Sequence, residues 1–170
     1  RGMLKPVLPE IEPAAVARMQ ALLDAETAAG LAADPLRRLA ALLPRDPATG
    51  AEIGVRLRLS NKARKRLSGS CEPGTGSSAT ALAYRVGTEC AVDRLLLGGR
   101  TEDAAAVAAW PVPRLPLSGG ALIKRGVPEG PVVAQTLRRI EDRWVDSGFP
   151  HGPDLDAIVA EELAQALGKQ

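Results

Sequence analysis

The chain has 170 residues, a formal net charge of +2 and an aromatic content of only 2%. A net charge this small does not indicate nucleic-acid binding by itself, so such a function would have to rest on local clusters of cations. No apolar run approaches the roughly 20 residues that span a bilayer, so no membrane association is expected. The many Ala and Leu residues, with few aromatic ones, favour an all-α fold with an aliphatic core.

Potential metal ligands are few. Cys71 and Cys90 do not have the spacing of a metal-binding motif, and we expect reduced thiols in a cytoplasmic protein. His151 is the only histidine, which excludes a zinc site built from several histidines. It is not followed by Asp, which also excludes a His-Asp metal phosphohydrolase. The sequence therefore predicts no metal site and no catalytic residue in this chain.

The first part of the chain predicts four helices. The first is rich in Ala, and Val16, Met19 and Leu23 form its expected buried stripe. The next two begin at Asp34 and Asp46, where an Asp N-cap precedes a proline at the first helical position. The fourth is short and basic and follows a Ser N-cap. The expected ranges are 13–30, 34–43, 47–57 and 60–67.

The middle of the chain begins with a segment at 68–78 that is rich in Gly and Ser and lacks apolar periodicity. This composition predicts a flexible loop. Three more helices are expected near 79–86, 89–97 and 102–110, with Thr88 and Thr101 as N-caps of the last two. The prolines between 111 and 116 then predict an extended connector.

The stretch 117–147 predicts a helical hairpin. Ser118 is a suitable N-cap for a short helix, and the tight Gly/Pro turn from Gly126 to Pro131 leads into a long one. The apolar face of the long helix comprises Val133, Leu137, Ile140 and Trp144. A last amphipathic helix is expected at 154–167. The chain thus predicts about nine to ten short helices and no substantial sheet.

The strongest functional signal is a cluster of six basic residues within eleven, with no acid among them. Lys62, Lys65 and Arg66 have i, i+3 and i+4 spacing, so they share one helical face and could follow a phosphate backbone. The alternative is a solvated polar face whose long side chains cover the core. The cluster comprises Arg56, Arg58, Lys62, Arg64, Lys65 and Arg66.

A second basic group, Arg138, Arg139 and Arg143, lies near acids at i+3 and i+4. Pairs with Asp142 and Asp146 within the same helix therefore explain it without a ligand.

Two further motifs also have a structural interpretation. The turn at 126–131, with Lys124 and Arg125 beside it, resembles a helix-hairpin-helix that could hold a phosphate, but it also suits any tight helix joint. Asp154 and Asp156 look like paired metal ligands, yet they open a helix, where capping and the helix dipole explain them better.

The sequence resembles the C-terminal part of bacterial class II CCA-adding tRNA nucleotidyltransferases, the family that includes bacterial poly(A) polymerases. The similarity is clearest in the hairpin and extends weakly to the rest of the chain. The hairpin residues that carry it are Leu117-Ser118-Gly119, Leu122, Gly126, Pro128, Gly130-Pro131, Leu137, Ile140-Glu141, Trp144 and Gly148-Phe149. The weaker matches are Gly2-Met3-Leu4, Leu8-Pro9-Glu10, the run from Asp34 to Leu43, and the run from Leu57 to Asn61.

The resemblance implies a role in tRNA 3′-end processing. The family's metal-binding carboxylates and nucleotide-binding motifs lie N-terminal to the matched part and are not found here. We therefore expect a helical body at 1–67 with the RNA-binding side, the loop at 68–78, and a helical tail at 79–170. The chain begins at Arg1 rather than Met, which we interpret as a sign that the protein's own catalytic head precedes it.

The implied partner is the acceptor and TΨC arms of tRNA, held largely through phosphate and sugar contacts. The six cations of the cluster, together with Lys124 and Arg125, are the expected RNA-binding residues. The resemblance implies no cofactor for this part, and Mg²⁺ with CTP or ATP for the full-length enzyme. Two alternatives remain open: a non-specific nucleic-acid-binding helix-hairpin-helix module, and a helical scaffold without nucleic acid.

Overall fold

The computed structural model describes residues 6–74, 76 and 78–168, and these contain ten α-helices and no strand. The prediction of an all-α fold is confirmed. Gly2, Met3 and Leu4 of the resemblance, and Thr75 and Ser77 of the predicted loop, lie outside the described residues. The helices are α1 (Ala15–Ala28), α2 (Pro35–Leu42), α3 (Pro47–Arg56), α4 (Asn61–Ser70), α5 (Ala79–Val86), α6 (Thr88–Leu97), α7 (Thr101–Ala108), α8 (Gly119–Lys124), α9 (Pro131–Asp146) and α10 (Pro153–Leu167).

The chain forms two compact units, which meet in sequence at Val112 and Pro113. The first unit contains α1 to α7 and the second contains α8 to α10. This division differs from the predicted one, which placed the body and tail on either side of 68–78. The reason is that α4 continues to Ser70 and packs against α6, so the chain before and after the loop shares one unit.

Helix starts largely follow the predicted N-caps. Asp34 and Asp46 each accept hydrogen bonds from two backbone N–H groups, and Ser60 and Ser118 each accept one. The two Thr predictions are wrong: the N-cap positions of α6 and α7 are Gly87 and Arg100, and neither helix has a side-chain cap. Each Thr is instead the first helical residue. An N-cap oxygen must precede the helix to reach the free N–H groups of its first turn.

The buried face of α1 is rotated from the predicted one. Val16 is 76% exposed, whereas Ala15, Leu22 and Glu26 are buried. Met19 is partly buried against the core. The Ala-rich sequence gives the helix little apolar contrast between its faces. The orientation is therefore set by its neighbours, including ion pairs that Glu26 forms with α2.

The first unit is built from two apolar clusters. Leu22, Leu95 and Val107 represent the cluster that joins α1, α6 and α7. Leu43, Ile53 and Leu67 represent the one that joins the end of α2 to α3 and α4. Both are aliphatic, as the composition predicts.

Two glycines let α3 approach α4 closely. A Cβ at Gly50 would lie 3.1 Å from the Sγ atom of Cys71, and one at Gly54 would lie 2.9 Å from the Cγ atom of Arg64. Glycine weakens an isolated helix, but here any side chain would push the basic helix away from α3. The position of α4 therefore depends on these two residues.

The second unit contains the predicted hairpin. Its long helix α9 packs against α8 and α10, with Leu122, Ile140 and Trp144 fully buried. The rings of Trp144 and Phe149 pack edge to face with 5.0 Å between centroids, and Trp144 Nε1 donates a hydrogen bond to the Pro150 carbonyl at 2.8 Å. In the described part of the chain, no helix combines the length and apolar character needed to cross a membrane.

Candidate nucleic-acid interface

The basic helix α4 begins after a sharp reversal at the end of α3. Arg58 has φ = 52°, in the left-handed region, and the Leu59 N–H donates to the Gly54 carbonyl. Ser60 then caps α4 through the Ala63 N–H. This turn places the start of α4 beside the end of α3, and it leaves Arg58, Lys62 and Lys65 exposed.

The six cations of the cluster have different surroundings. Arg56 pairs with Glu10 at 2.7 Å, and Arg64 donates to the Asn61 side chain. Arg58 and Lys65 form no ion pair with any residue that the structure describes. The cluster is thus not one uniform surface, because some of its charge is already used within the protein.

Arg66 is directed into the unit rather than toward solvent. Its side chain is 12% exposed, and its Nε and Nη2 donate to Asp93 on α6 at 2.8 and 2.9 Å. It also pairs with Asp34 at 2.9 Å. The hydrogen bonds to Asp93 raise the pKa of Arg66. Arg66 therefore holds α4 against α6. The sequence predicts that Arg66 contacts RNA, but its guanidinium is occupied by Asp93 and Asp34.

Asp93 is the centre of a buried network of charges. It is fully buried, and it also accepts hydrogen bonds from Arg37 Nε and from the Ser70 hydroxyl, both at 2.9 Å. Arg37 in turn pairs with Glu26 on α1 at 2.9 Å. The network thereby connects α1, α2, α4 and α6 through charged hydrogen bonds.

Asp34 belongs to the same network. Its partial burial acts to raise the pKa of its carboxyl, but the Arg37 backbone N–H and the Arg66 guanidinium outweigh that effect and lower it. The carboxylate remains charged at neutral pH and caps α2 while it holds Arg66.

A cleft of about 580 Å³ lies between α4 and the corner that joins α5 to α6. Lys62 and Lys65 line one side, and Arg85, Thr88 and Glu89 line the other. Lys62 and Glu89 form an ion pair at 3.4 Å, with side chains 84% and 57% exposed. The cleft is therefore a concave surface that the two exposed lysines of α4 border.

A second cleft, of about 430 Å³, lies on the other side of α4. It is lined by Val55, Asn61, Arg64 and Lys65, among others. Lys65 borders both clefts, so this residue lies on the ridge between two concave surfaces.

Lys124 and Arg125, the two candidates outside the cluster, lie in the second unit and are exposed. The turn beside them has Gly126 at φ = 97° and Gly130 at φ = 126°, which confirms the need for glycine there. Glu129, in the same turn, is also exposed. An anion at the start of α9 would therefore meet a carboxylate as well as these cations.

Two arginines of the second basic group, Arg139 and Arg143, form ion pairs that connect α9 to α10. Arg139 donates to Glu162 on α10 at 3.0 Å. Arg143 pairs with Glu161 at 2.6 Å and with Glu162 at 3.2 Å. Hydrogen bonds to these two acids raise the pKa of Arg143. These arginines connect α9 to α10, which supports their structural interpretation.

The remaining candidate groups are the two carboxylates of α10 and the two cysteines of the first unit. Asp154 and Asp156 lie in the first turn of α10. Cys71 and Cys90 are free and buried, and burial raises the pKa of Cys71 to about 11. No group of three potential metal-ligating side chains occurs among the residues that the structure describes.

Two residues that shape the interface were missed from sequence. Asp93 could have been suspected, because apolar residues stand on both sides of the Asp93-Arg94 pair in Ala91-Val92-Asp93-Arg94-Leu95-Leu96. Glu89 gave no such signal, since an acid near a helix start is common. Comparisons of the chain with protein-family models, with curated proteins and with solved structures found no match.

Proposed function

We propose that this chain is the RNA-binding C-terminal region of a CCA-adding tRNA nucleotidyltransferase in the cytoplasm. The observation that carries the proposal is the exposed cationic surface of Arg58, Lys62 and Lys65, in a segment that contains no acid from 56 to 66. Exposed Lys and Arg side chains that release counterions from phosphates supply most sequence-independent affinity for nucleic acid. The hairpin residues of the family resemblance, described above, support tRNA as the partner.

In this role the region holds the acceptor and TΨC arms, and it thereby sets the tRNA 3′ end against a catalytic head. Phosphate contacts fix position and orientation without reading sequence, which suits an enzyme that must accept many tRNAs. Mg²⁺ and CTP or ATP would act at the head. The region itself should not add CMP or AMP to a tRNA that lacks its CCA end.

The cations available for this contact are fewer than the sequence suggested. Arg66 is committed to Asp93 and Arg56 to Glu10. Lys62 and Lys65 are therefore the main residues of the proposed contact, and Arg58 is a third.

The test is a binding titration with tRNA and with duplex DNA of similar size across a salt series. We expect tighter binding to tRNA, and a marked loss of affinity in the double variant Lys62→Ala/Lys65→Ala. Because each phosphate contact contributes roughly one to the slope of log K against log salt, the slope should become shallower by about two.

The matched control is Arg114→Ala/Arg138→Ala, which removes two exposed cations from the second unit. If the control variant loses as much affinity as the lysine variant, the contact is not specific to α4. Equal binding of tRNA and DNA, abolished by changes to Gly126 and Gly130, would instead favour the helix-hairpin-helix alternative. No salt-dependent binding to either polymer would favour a scaffold.

A further inference from the structure

The cleft between α4 and the α5–α6 corner has a fixed base. A Cβ at Gly69 would lie 2.8 Å from the Sγ atom of Cys90, so the backbone of α4 lies directly against the first turn of α6. One helical turn further along α6, Asp93 binds Arg66 and Ser70 of α4. These contacts hold the two walls of the cleft together, so its width does not depend on a ligand.

The charges around this cleft are only partly balanced. Lys65 has no acidic partner among the described residues, and Arg66 is neutralised by Asp93. Glu72, at the rim, is paired with Arg94 at 2.9 Å. Glu89 is therefore the acid that faces the α4 lysines most directly, through its 3.4 Å pair with Lys62.

The pair of Lys62 and Glu89 is easily exchanged. Both side chains are largely exposed, and pairs of this kind contribute little to folding stability because water and salt screen them. A phosphate offers Lys62 several acceptor oxygens, and it can share its charge with Lys65 on the same helical face. Exchange of Glu89 for a phosphate therefore costs the fold little.

We infer that this cleft receives a backbone phosphate of the bound RNA, and that Glu89 sets the affinity by competing with that phosphate for Lys62. The inference rests on the proposed function and adds a specific place and a residue that opposes binding. Because Lys65 borders both clefts, the RNA backbone can continue across α4 toward the second cleft and stay close to a cation. Glu89 thus keeps the contact weak enough for tRNA to be released.

The experiment is a double-mutant cycle with tRNA as the probe, at low and moderate salt. The proteins are the unmodified chain, Glu89→Gln, Lys62→Ala and the variant with both changes. We expect Glu89→Gln to tighten tRNA binding several-fold at low salt, since the glutamine no longer competes for Lys62. In the Lys62→Ala background the same change should have little effect.

The matched control is Glu102→Gln. Glu102 is an exposed acid in the first turn of α7, as Glu89 is in the first turn of α6, and both lie in the first unit. Its substitution should change tRNA affinity much less than Glu89→Gln. Circular dichroism of each variant checks that its helical content is unchanged.

The outcomes separate this inference from the proposed function. If the unmodified chain binds tRNA but Glu89→Gln does not change the affinity, the inference fails and the proposed function stands. An equal gain from Glu89→Gln with and without Lys62 would also overturn it, because the effect would then be one of overall charge. If the unmodified chain does not bind tRNA, both fail.

Discussion

The two units each contain a buried carboxylate that binds two arginines, but they use it differently. Asp93 in the first unit binds Arg37 and Arg66, whose side chains are only 8% and 12% exposed. Glu162 in the second unit binds Arg139 and Arg143, which are 38% and 39% exposed. The first unit therefore encloses the ion pairs of Asp93, whereas the second places the arginines that bind Glu162 at the edge of an apolar core.

This difference decides what happens when the carboxylate is lost. Arginines at an edge can turn into water, so their charge is solvated again at little cost. Enclosed arginines cannot do so without opening the unit, and an uncompensated buried charge is strongly destabilising. The same substitution, a carboxylate changed to the amide of equal size, should therefore have unequal effects in the two units.

The largest expected effect is that of Asp93→Asn. The amide cannot neutralise Arg37 and Arg66, and its NH₂ group faces their N–H donors, so we expect a loss of about 3–5 kcal/mol of unfolding free energy in the first unit. Hydrogen exchange measured by mass spectrometry should show it as lower protection of α2, α4 and α6. Protection of α9 serves as the internal reference. Unchanged protection of α6 would show that Asp93 does not stabilise the first unit.

A smaller effect is expected for Glu162→Gln. The glutamine keeps one acceptor oxygen, and both arginines are more than a third exposed, so the loss should be about 1 kcal/mol. The same exchange experiment should show a modest fall in the protection of α9 and α10, with α6 unaffected. A loss of stability as large as that of Asp93→Asn would mean that burial of the arginines does not explain the difference between the two units.

The sequence predicted the parts of the fold that depend on neighbours along the chain. The side chains of Asp34 and Asp46 cap their helices by accepting hydrogen bonds from N–H groups two and three residues ahead, and both caps are confirmed. Gly126 and Gly130 are also local, since each adopts a positive φ within one turn. Such features follow from the preferences of a few adjacent residues.

The misassigned parts depend on contacts between distant residues. Arg66 and Asp93 are 27 positions apart, and no local pattern indicates that one would bury the other. For the same reason the sequence predicts a boundary at the loop 68–78, although this contact and the packing of α4 on α6 join the two sides of the loop in one unit. The candidate surface was therefore found as a segment of sequence, but its free and committed cations became distinguishable only in three dimensions.

Among the residues that the structure describes, one residue other than glycine adopts a left-handed backbone in each unit. Arg58, at φ = 52°, lies on the exposed turn between α3 and α4, and Phe149, at φ = 63°, follows α9. Phe149 is buried and packs its ring against Trp144, so its side chain offsets the unfavourable backbone. Arg58 has no ion pair among the described residues that would do the same.

The smallest predicted effect has the opposite sign and comes from Arg58→Gly. A left-handed conformation costs a residue with a Cβ roughly 1–2 kcal/mol, and glycine avoids this cost but loses more entropy on folding. We expect a net gain of about 0.5 kcal/mol in unfolding free energy, measured by urea denaturation followed by circular dichroism. Phe149→Gly should instead destabilise the second unit, because the loss of ring packing exceeds the relief of the backbone. A loss of stability in Arg58→Gly would mean that the arginine stem supports this turn, so that Arg58 is held by the fold rather than left free for a phosphate.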